Sequence, residues 1–209
     1  NHLLYFYLSF TSMFEPIKAA CWRRKFRRNL MSGRSDRDLG VRDAQTTAVY
    51  YAYEGEAEWK RLQVLLQELA PRFGQIRILV SIPENGEGKT EASALSSPFE
   101  TGVLGKNDLD FCGMPKRGKV GFAADYFSRK YDFFVDYSRE YHGLDAAVSS
   151  MIRAKVKIGK GGKWGEKAHD FILAPQDEGS FVESFTRTLQ TYLPVISQAM
   201  AKKTENGRP

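Results

Sequence analysis

Apolar and polar residues alternate along this chain with two different periods. Apolar residues recur every three or four positions in segments 17–31, 54–70, 118–130, 142–154 and 180–200, which predicts amphipathic helices. Short apolar runs rich in β-branched and aromatic residues predict strands at 47–53, 75–82, 132–137, 155–158 and 171–174. Pro71 is expected to end the second helix, and Pro194 to kink or end the last one. The glycine-rich segments 83–107 and 159–167 are predicted to be loops.

The order of these elements defines a fold class. Helices alternate with strands that are apolar on both faces, which favours a mostly parallel sheet covered on two sides. We therefore predict a three-layer α/β protein, Rossmann-like or flavodoxin-like, with a basic helix at its N-terminus. The predicted divisions are an upstream leader or non-native extension at 1–12, a basic helical arm and linker at 13–43, a single α/β domain at 44–200 and a disordered tail at 201–209.

The positive charge is concentrated in one part of the chain. The net charge is +6, and residues 18–42 hold nine basic residues against two acidic ones. This segment therefore carries +7, and the remaining chain carries −1. Because a concentrated basic segment attracts polyanions through counterion release and steering, the charge predicts a nucleic acid or another anionic surface as the partner.

The helix predicted at 17–31 carries basic and aromatic residues together. The predicted nucleic-acid-binding residues are Arg23, Arg24, Lys25, Arg27 and Arg28, with Trp22 and Phe26 among them. The two aromatic side chains have two compatible interpretations. They pack the helix on the body of the protein, or they stack on unpaired bases of an RNA.

The first residues also have two interpretations. The apolar run 3–14 is shorter than the roughly 20 residues that span a bilayer, and it ends at Glu15 and Pro16. One interpretation is a translated leader with Met13 as the natural start. The other is the end of a signal anchor, which would make the protein membrane-associated through residues 3–31. The sequence favours the leader because the apolar run is short and ends at Glu15 and Pro16.

Cysteine and histidine are sparse. The chain has two cysteines, and its three histidines, His2, His142 and His169, are scattered. We therefore expect no metal site, no cofactor, no disulfide framework and a reducing compartment. Cys112, in a predicted turn, is interpreted as a structural thiol because no motif ties a histidine base to it.

Polar residues at the ends of predicted strands form a candidate crevice. Asp136, Tyr137 and Ser138 close a central strand, and Glu54 follows the first strand. Ligands of open α/β sheets bind beyond the carboxyl ends of the strands, so these four residues could share a site. The alternative, which we favour, is that Asp136 or Ser138 caps the following helix.

Two glycine-rich loops have some features of anion-binding loops. Segment 83–90 ends in Gly-Lys-Thr as a phosphate-binding loop does, but Pro83 stands where the first glycine is required. We therefore expect no nucleotide binding there. The second loop offers free amides and lysines to a phosphate, and its candidate residues are Lys160, Gly161, Gly162 and Lys163. A flexible hairpin between two strands is the simpler interpretation of this loop, and we prefer it.

Several segments, taken in order, resemble one family. They are CWRRKFRRN, DFCGMPKRG, YDFFVDYS, RAKVKIGK, FILAP and the pair Tyr192 and Leu193 in the last helix. From Met13 to about Met200 the chain is similar to an uncharacterised family of small α/β proteins, a domain of unknown function common in Bacteroidota. The resemblance implies a cytoplasmic α/β protein and carries no catalytic residues.

The sequence therefore favours a non-enzymatic cytoplasmic protein whose basic arm binds a polyanion such as RNA or a ribosomal surface. A small nucleotide- or phosphate-binding enzyme that uses the crevice near Asp136 is the first alternative, and a membrane-associated protein is the second. The enzyme is the weaker interpretation because the sequence has no nucleophile-elbow, paired-histidine or dinucleotide-binding motif. The sequence identifies no small-molecule ligand and no oligomeric state.

Overall fold

A computed structural model gives the fold of the protein. It describes residues 2–34, 45–82, 95–116, 121–140, 142–162, 164–175 and 179–205. Within segment 2–34 the structure describes the side chains of residues 15–32 only. Within segment 179–205 it describes those of residues 179–196 and 198. The Gly-Lys-Thr segment and Lys163 lie outside the described residues.

The described residues form six strands in one sheet, in which every neighbouring pair is parallel. The strands are β1 (Thr46–Ala52), β2 (Gln75–Ser81), β3 (Glu100–Leu104), β4 (Lys130–Tyr137), β5 (Arg153–Lys160) and β6 (Phe171–Leu173). Their order in the sheet is β3-β2-β1-β4-β5-β6. This is the Rossmann order rather than the flavodoxin-like one, and its topological switch point lies between β1 and β4.

Helices cover both faces of the sheet. They are α1 (His2–Arg34), α2 (Glu56–Phe73), α3 (Phe122–Ser128), α4 (Gly143–Met151), α5 (Gly165–Ala168) and α6 (Phe181–Glu205). Helices α2 and α6 supply one core, and α3 and α4 supply the other, against which α1 packs. The predicted three-layer α/β class is confirmed.

Full burial of both sheet faces explains the continuous apolar runs in the sequence. In β1, Val49 and Tyr51 point towards α2 and α6, whereas Ala48 and Tyr50 point towards α3 and α4. All four side chains are completely buried. Because successive residues of a strand face opposite sides, a strand covered on both sides needs apolar residues at every position.

Two helices continue through prolines that were expected to end or kink them. Pro71 lies inside α2, which ends two residues later at Phe73 and is followed by Gly74, where φ is 62°. The last turn forms because Phe73 is completely buried in the core. Pro194 likewise lies inside α6, between the buried Leu193 and Ile196. At both places, core packing outweighs the hydrogen bond that proline removes.

Other boundaries differ from the sequence-based prediction. Helix α1 spans His2–Arg34, whereas the sequence predicted a helix only over 17–31. Helix α4 ends at Met151 because β5 already starts at Arg153, and α6 runs to Glu205. The interval predicted as loop at 159–167 contains the end of β5 and most of α5.

Strand β3 is the largest difference, since its segment was predicted as loop. It is short, polar and paired only with β2, so it has no alternating or continuous apolar pattern. The buried Arg77 of β2 fixes it through ion pairs with Glu100 of β3 and with Asp125 of α3. Its glycine is also required, because a Cβ atom at Gly102 would lie 2.0 Å from the ring of Phe122.

Candidate nucleic-acid interface

Aromatic rings attach the inward face of α1 to the body of the protein. Trp22 and Phe26, one helical turn apart, stack with ring centroids separated by 4.9 Å and an interplanar angle of 10°. Both rings meet Trp164 in T-shaped geometry, at 5.1 Å and 5.2 Å. Phe26 is only 1% exposed. Its ring therefore packs the helix on the body and is not accessible to a nucleic-acid base.

A disulfide and an ion pair attach the same helix to a turn in residues 110–114. Cys21 is bonded to Cys112, with Cα atoms 6.0 Å apart. Lys25 Nζ lies 2.5 Å from Asp110 Oδ2. The interpretation of Cys112 as an unpaired structural thiol is therefore wrong. Two cysteines suggested no framework, but a single bridge needs only a pair, and the fold brings this pair together across 91 residues.

Asp110 is the acidic residue that organises this turn. Burial disfavours its charged form, but hydrogen bonds from Lys25 and from the backbone N–H groups of Met114 and Cys112 outweigh burial and lower its pKa. The carboxylate is therefore charged at neutral pH and neutralises Lys25. Lys25 is half-buried, so it contributes less to the outer surface than the other basic residues of the helix.

The outward face of α1 carries an arginine stripe, which we define as Arg23, Arg24, Arg27 and Arg28. Positions three and four apart lie on the same side of a helix, so these residues form one continuous surface. All four side chains are exposed. Among the described side chains, none of the four is ion-paired with an acidic residue. The stripe is therefore available to an external anion.

A cleft of about 860 Å³ lies between α1 and the segment that follows β3. Trp22, Phe111 and Trp164 give it aromatic walls, and Gly143 at the start of α4 also lines it. Its charged lining residues are Lys18, Arg23, Lys106, Lys116, Glu15 and Asp110. Since these segments follow β3, β4 and β5, the cleft lies at the carboxyl edge of the sheet, where ligands of open α/β folds bind.

The predicted crevice residues of β4 are buried rather than exposed at that edge. Asp136 and Ser138 are 0% and 1% exposed, and Ser138 Oγ donates a hydrogen bond of 2.6 Å to Asp136 Oδ1. Tyr137 faces the other core, where its hydroxyl lies 3.0 Å from that of Thr186 in α6. The expectation that Asp136 or Ser138 caps α4 is wrong, because the residue before this helix is His142, whose N–H is bonded to Asp145.

Glu54 and Lys160 lie on the opposite side of the sheet from Asp136. Glu54 Oε2 forms an ion pair with Nε of Arg139 at a distance of 3.1 Å. The cationic groups of Arg139 and Lys160 each lie 5.7 Å from the ring centroid of Phe181 in α6. Burial raises the pKa of Glu54, although Arg139 opposes the rise. The structure therefore divides the predicted crevice into two groups and does not bring its residues into one site.

The glycine- and lysine-rich loop leads from β5 into α5. It is not the hairpin that we preferred, because β5 and β6 are parallel and α5 lies between them. Gly162 has φ of 133°, a conformation that favours glycine. At Gly161 a Cβ atom would come within 3.0 Å of Ile172. Both glycines therefore have conformational or packing reasons to be present.

Sequence reasoning missed a buried polar network around Asp136. Ser149 Oγ donates to Asp136 Oδ2 at 2.6 Å, and His169 Nε2 lies 3.3 Å from the same oxygen. Lys157 Nζ donates to the carbonyl of Ser149 at 2.6 Å. The side chains of Asp136 and His169 have no solvent exposure, and Ser149 contacts the carboxylate rather than the imidazole. The network therefore joins β4, α4 and β5 in the interior.

Asp145 extends this network to the first two strands. Tyr50 donates to Asp145 Oδ1 at 2.8 Å, and Ser81 Oγ lies 2.7 Å from the same tyrosine hydroxyl. Burial, followed by the nearby charge of Asp136, raises the pKa of Asp145 to about 6. The signal in the sequence was the polar residues of an otherwise apolar helix, Asp145 and Ser149, and the lysine within a strand, Lys157.

Two further kinds of site can be assessed over the described residues. The described residues contain no group of three or more His, Cys, Asp or Glu side chains placed to hold a metal ion. Across the same ranges, no helix combines the length and apolarity that crossing a membrane requires.

The fold and these surfaces define a Rossmann-like α/β domain with a basic helix packed on one helical layer. The chain belongs to the family described as "Family of unknown function (DUF6913)", which matches residues 18–196. The uncharacterised family expected from the sequence is thereby confirmed. The matched range contains the arginine stripe and all six strands.

Other comparisons add little to this assignment. No curated protein shows significant similarity to the chain. A solved structure with a similar course is the "Catalytic domain of Starch Synthase IV from Arabidopsis thaliana bound to ADP and acarbose", at 13% identity and a TM-score of 0.37. The match covers 85% of this chain and 38% of that one, so this chain spans well under half of that structure.

Proposed function

We propose that the protein is a non-enzymatic module that binds a polyanion, namely RNA, free or at a ribosomal surface. The arginine stripe binds the phosphate backbone. The observation that supports this proposal is the exposure of all four guanidinium groups on one side of a helix whose other side is packed on the body. A packed helix holds its charges in a fixed pattern, so they need less ordering on binding than charges on a flexible arm.

The charge distribution supports the same function. The chain outside residues 18–42 carries a net −1, so attraction to RNA comes almost entirely from the basic segment. Arginine suits this role because its planar guanidinium donates two parallel hydrogen bonds to a phosphate. Contacts of this kind carry no base sequence information, so the proposed binding has little sequence preference.

The test is a binding measurement on a charge variant with a matched control. The variant replaces Arg23, Arg24, Arg27 and Arg28 by Gln. The control replaces four exposed basic residues of α2 and α6, Lys60, Arg61, Arg72 and Arg187, by Gln, which removes the same charge from the opposite helical layer. At about 50 mM salt, fluorescence anisotropy with a labelled RNA should give at least about tenfold weaker binding for the stripe variant. Equal losses in both variants would contradict a specific role of the stripe.

A membrane surface is the second candidate partner. The observation that favours it is the continuity of α1, which joins the apolar segment 3–14 and the arginine stripe in one helix. Amphipathic basic helices also bind anionic lipid. In a competition between the labelled RNA and vesicles of phosphatidylglycerol, the RNA proposal expects the vesicles to displace little RNA. Complete displacement by vesicles would favour the membrane.

The proposal includes a cytoplasmic location, where RNA and ribosomes are abundant. The Cys21–Cys112 disulfide is instead typical of oxidising compartments. The redox state of this pair in cells therefore tests the location. Alkylation of both cysteines by a maleimide reagent in freshly lysed cells supports a cytoplasmic protein, whereas protection of both until a reductant is added contradicts it.

A further inference from the structure

Phe111 is an exposed aromatic side chain that the core does not explain. Its side chain lines the cleft, and the residue is 63% exposed. An apolar ring in this position gains little from the hydrophobic effect, which depends on the area removed from water. Aromatic side chains are enriched in binding interfaces, and proteins that bind single-stranded nucleic acid use them as stacking platforms.

The turn that carries Phe111 is held from several sides. Asp110 Oδ1 accepts hydrogen bonds from the backbone N–H groups of Cys112 at 2.8 Å and Met114 at 3.1 Å. Gly113, with φ of 76°, closes the turn through a hydrogen bond of 2.9 Å from its N–H to the carbonyl of Asp110. The ion pair of 2.5 Å between Lys25 and Asp110 joins the turn to α1 whether or not Cys112 is oxidised. Phe111 is therefore presented by a rigid segment, as a stacking platform requires.

Positive charge surrounds the ring. Lys18 Nζ lies 5.5 Å from the ring centroid of Phe111, and Lys18, Arg23, Lys106 and Lys116 line the same cleft. Two of the described lining residues are acidic, and both are paired, Glu15 with Lys18 at 3.1 Å and Asp110 with Lys25 at 2.5 Å, which leaves Arg23, Lys106 and Lys116 in excess. The cleft therefore combines an accessible aromatic face with an excess of cations, which suits a ligand that has a flat ring and an anionic group.

Arg23 connects the cleft to the arginine stripe, because it belongs to both. A strand whose phosphates follow the stripe therefore passes the mouth of the cleft. We propose that the cleft receives one unpaired base of a single-stranded RNA, which stacks on Phe111 while an adjacent phosphate contacts Arg23. This inference rests on the proposed function and deepens it. The cleft volume of about 860 Å³ is within the usual range of ligand sites.

The inference distinguishes single strands from duplexes. A duplex keeps its bases stacked inside, whereas a single strand can turn a base outwards onto an aromatic ring. Trp22 is less suited to the role, because one face of its ring is already stacked on Phe26. The preference for single strands over duplexes is therefore assigned to Phe111 rather than to the aromatic residues of α1.

The test compares three probes of equal length, a single-stranded RNA, its duplex and an abasic sugar-phosphate strand, on the full chain and on Phe111→Ala. The control variant is Tyr192→Ala, which removes another half-exposed aromatic ring from α6 on the opposite layer. We expect Phe111→Ala to weaken single-strand binding by about 5- to 100-fold and to leave duplex and abasic binding within about twofold. Phe111→Trp should retain single-strand binding. Unchanged thermal unfolding of Phe111→Ala verifies that the fold is intact.

The outcomes separate this inference from the function on which it rests. Equal binding of all three probes, with no effect of Phe111→Ala, overturns the stacking role and leaves the phosphate-binding stripe in place. Absence of binding to every probe overturns both. If Phe111→Ala instead weakens binding to phosphatidylglycerol vesicles and not to RNA, the ring inserts into lipid and the inference is overturned.

Discussion

Cys21 and Cys112 join the basic helix to the turn that presents Phe111, and their Cα atoms lie 6.0 Å apart across 91 residues of sequence. When it is formed, this one bond fixes two features of the proposed interface relative to each other. The arginine stripe lies on one side of the bond, and the turn that walls the cleft lies on the other. Without this bond, the turn is attached to α1 mainly through Lys25 and Asp110.

Removing the disulfide should lower the stability of the whole domain. For a loop of 91 residues, loop-closure entropy gives a contribution of about 4.6 kcal/mol to the free energy of unfolding. We expect Cys112→Ser, measured by urea unfolding, to lose most of this amount. The reductant dithiothreitol should destabilise the natural chain and leave Cys112→Ser unaffected. Equal stability of the two proteins under oxidising conditions would show that the bond does not form in solution.

Phe26 is expected to act as a structural residue. Its ring is completely enclosed by the body and by Trp22 and Trp164, so Phe26→Ala should cost about 3 kcal/mol in the free energy of unfolding. Arg24→Ala, two positions earlier on the exposed side, is the matched control and should change stability by less than about 0.5 kcal/mol. A Phe26→Ala protein that unfolds like the natural chain but binds RNA more weakly would assign the ring to the interface instead.

The raised pKa of Asp145 predicts a distinct pH dependence. Its carboxyl group binds a proton more tightly in the folded protein, with a pKa of about 6, than in the unfolded chain, where the value is 3.8. Folding is therefore favoured by protonation, and this contribution to stability is lost as the pH rises from about 4 to about 6. The loss amounts to about 3 kcal/mol, since each pKa unit corresponds to about 1.4 kcal/mol.

Asp145→Asn provides the comparison, because the amide does not titrate and its oxygen can still accept the hydrogen bond from Tyr50. Urea unfolding of both proteins at several pH values should give a stability difference that shifts in favour of the variant between about pH 4 and pH 6. A difference that stays constant across this interval would rule out the raised pKa.

A methyl group at Gly159 should disturb the buried network around His169. A Cβ atom there would lie 2.2 Å from Cε1 of His169, whose side chain is fully enclosed and cannot move aside. We expect Gly159→Ala to cost at least about 2 kcal/mol in thermal or urea unfolding. Gly105→Ala is the control, since its nearest neighbour would be at an ordinary 3.6 Å. Similar stability of the two variants would mean that the imidazole is not held against β5.

Much of the fold could be predicted from the sequence, because strands β1, β2 and β4 are buried on both faces and have nearly continuous apolar runs. Strand β3 had no such signal, since it is an edge strand whose order depends on Arg77, more than twenty positions away. The same limit applies to Pro71 and Pro194. Local propensity predicted that the helices end or kink at these prolines. The helices continue because side chains distant in sequence pack on Phe73 and Leu193.

The candidate site was predicted only in part. The spacing of the basic residues predicted one charged helix surface, and the arginine stripe is exposed in the structure. Such a surface can be predicted because it depends on residues that are close in sequence. The pairing of Cys21 with Cys112 and the approach of Phe111 to Arg23 depend on contacts between α1 and a segment some ninety residues away. Strand-end position also predicted a crevice at Asp136, but it does not indicate which side of the sheet each residue faces or how deeply it is covered.

The salt dependence of RNA binding tests the central claim most directly. Lys25 is neutralised by Asp110, so four phosphates are expected to be contacted by the four arginines of the stripe. The logarithm of the binding constant should then fall with the logarithm of the salt concentration at a slope of about −2.8 for a single strand. Replacing the four arginines by Gln should bring the slope close to zero, while the matched variant of Lys60, Arg61, Arg72 and Arg187 keeps it. A slope that is the same in both variants, or no binding even at about 50 mM salt, would contradict the proposal that this helix binds RNA.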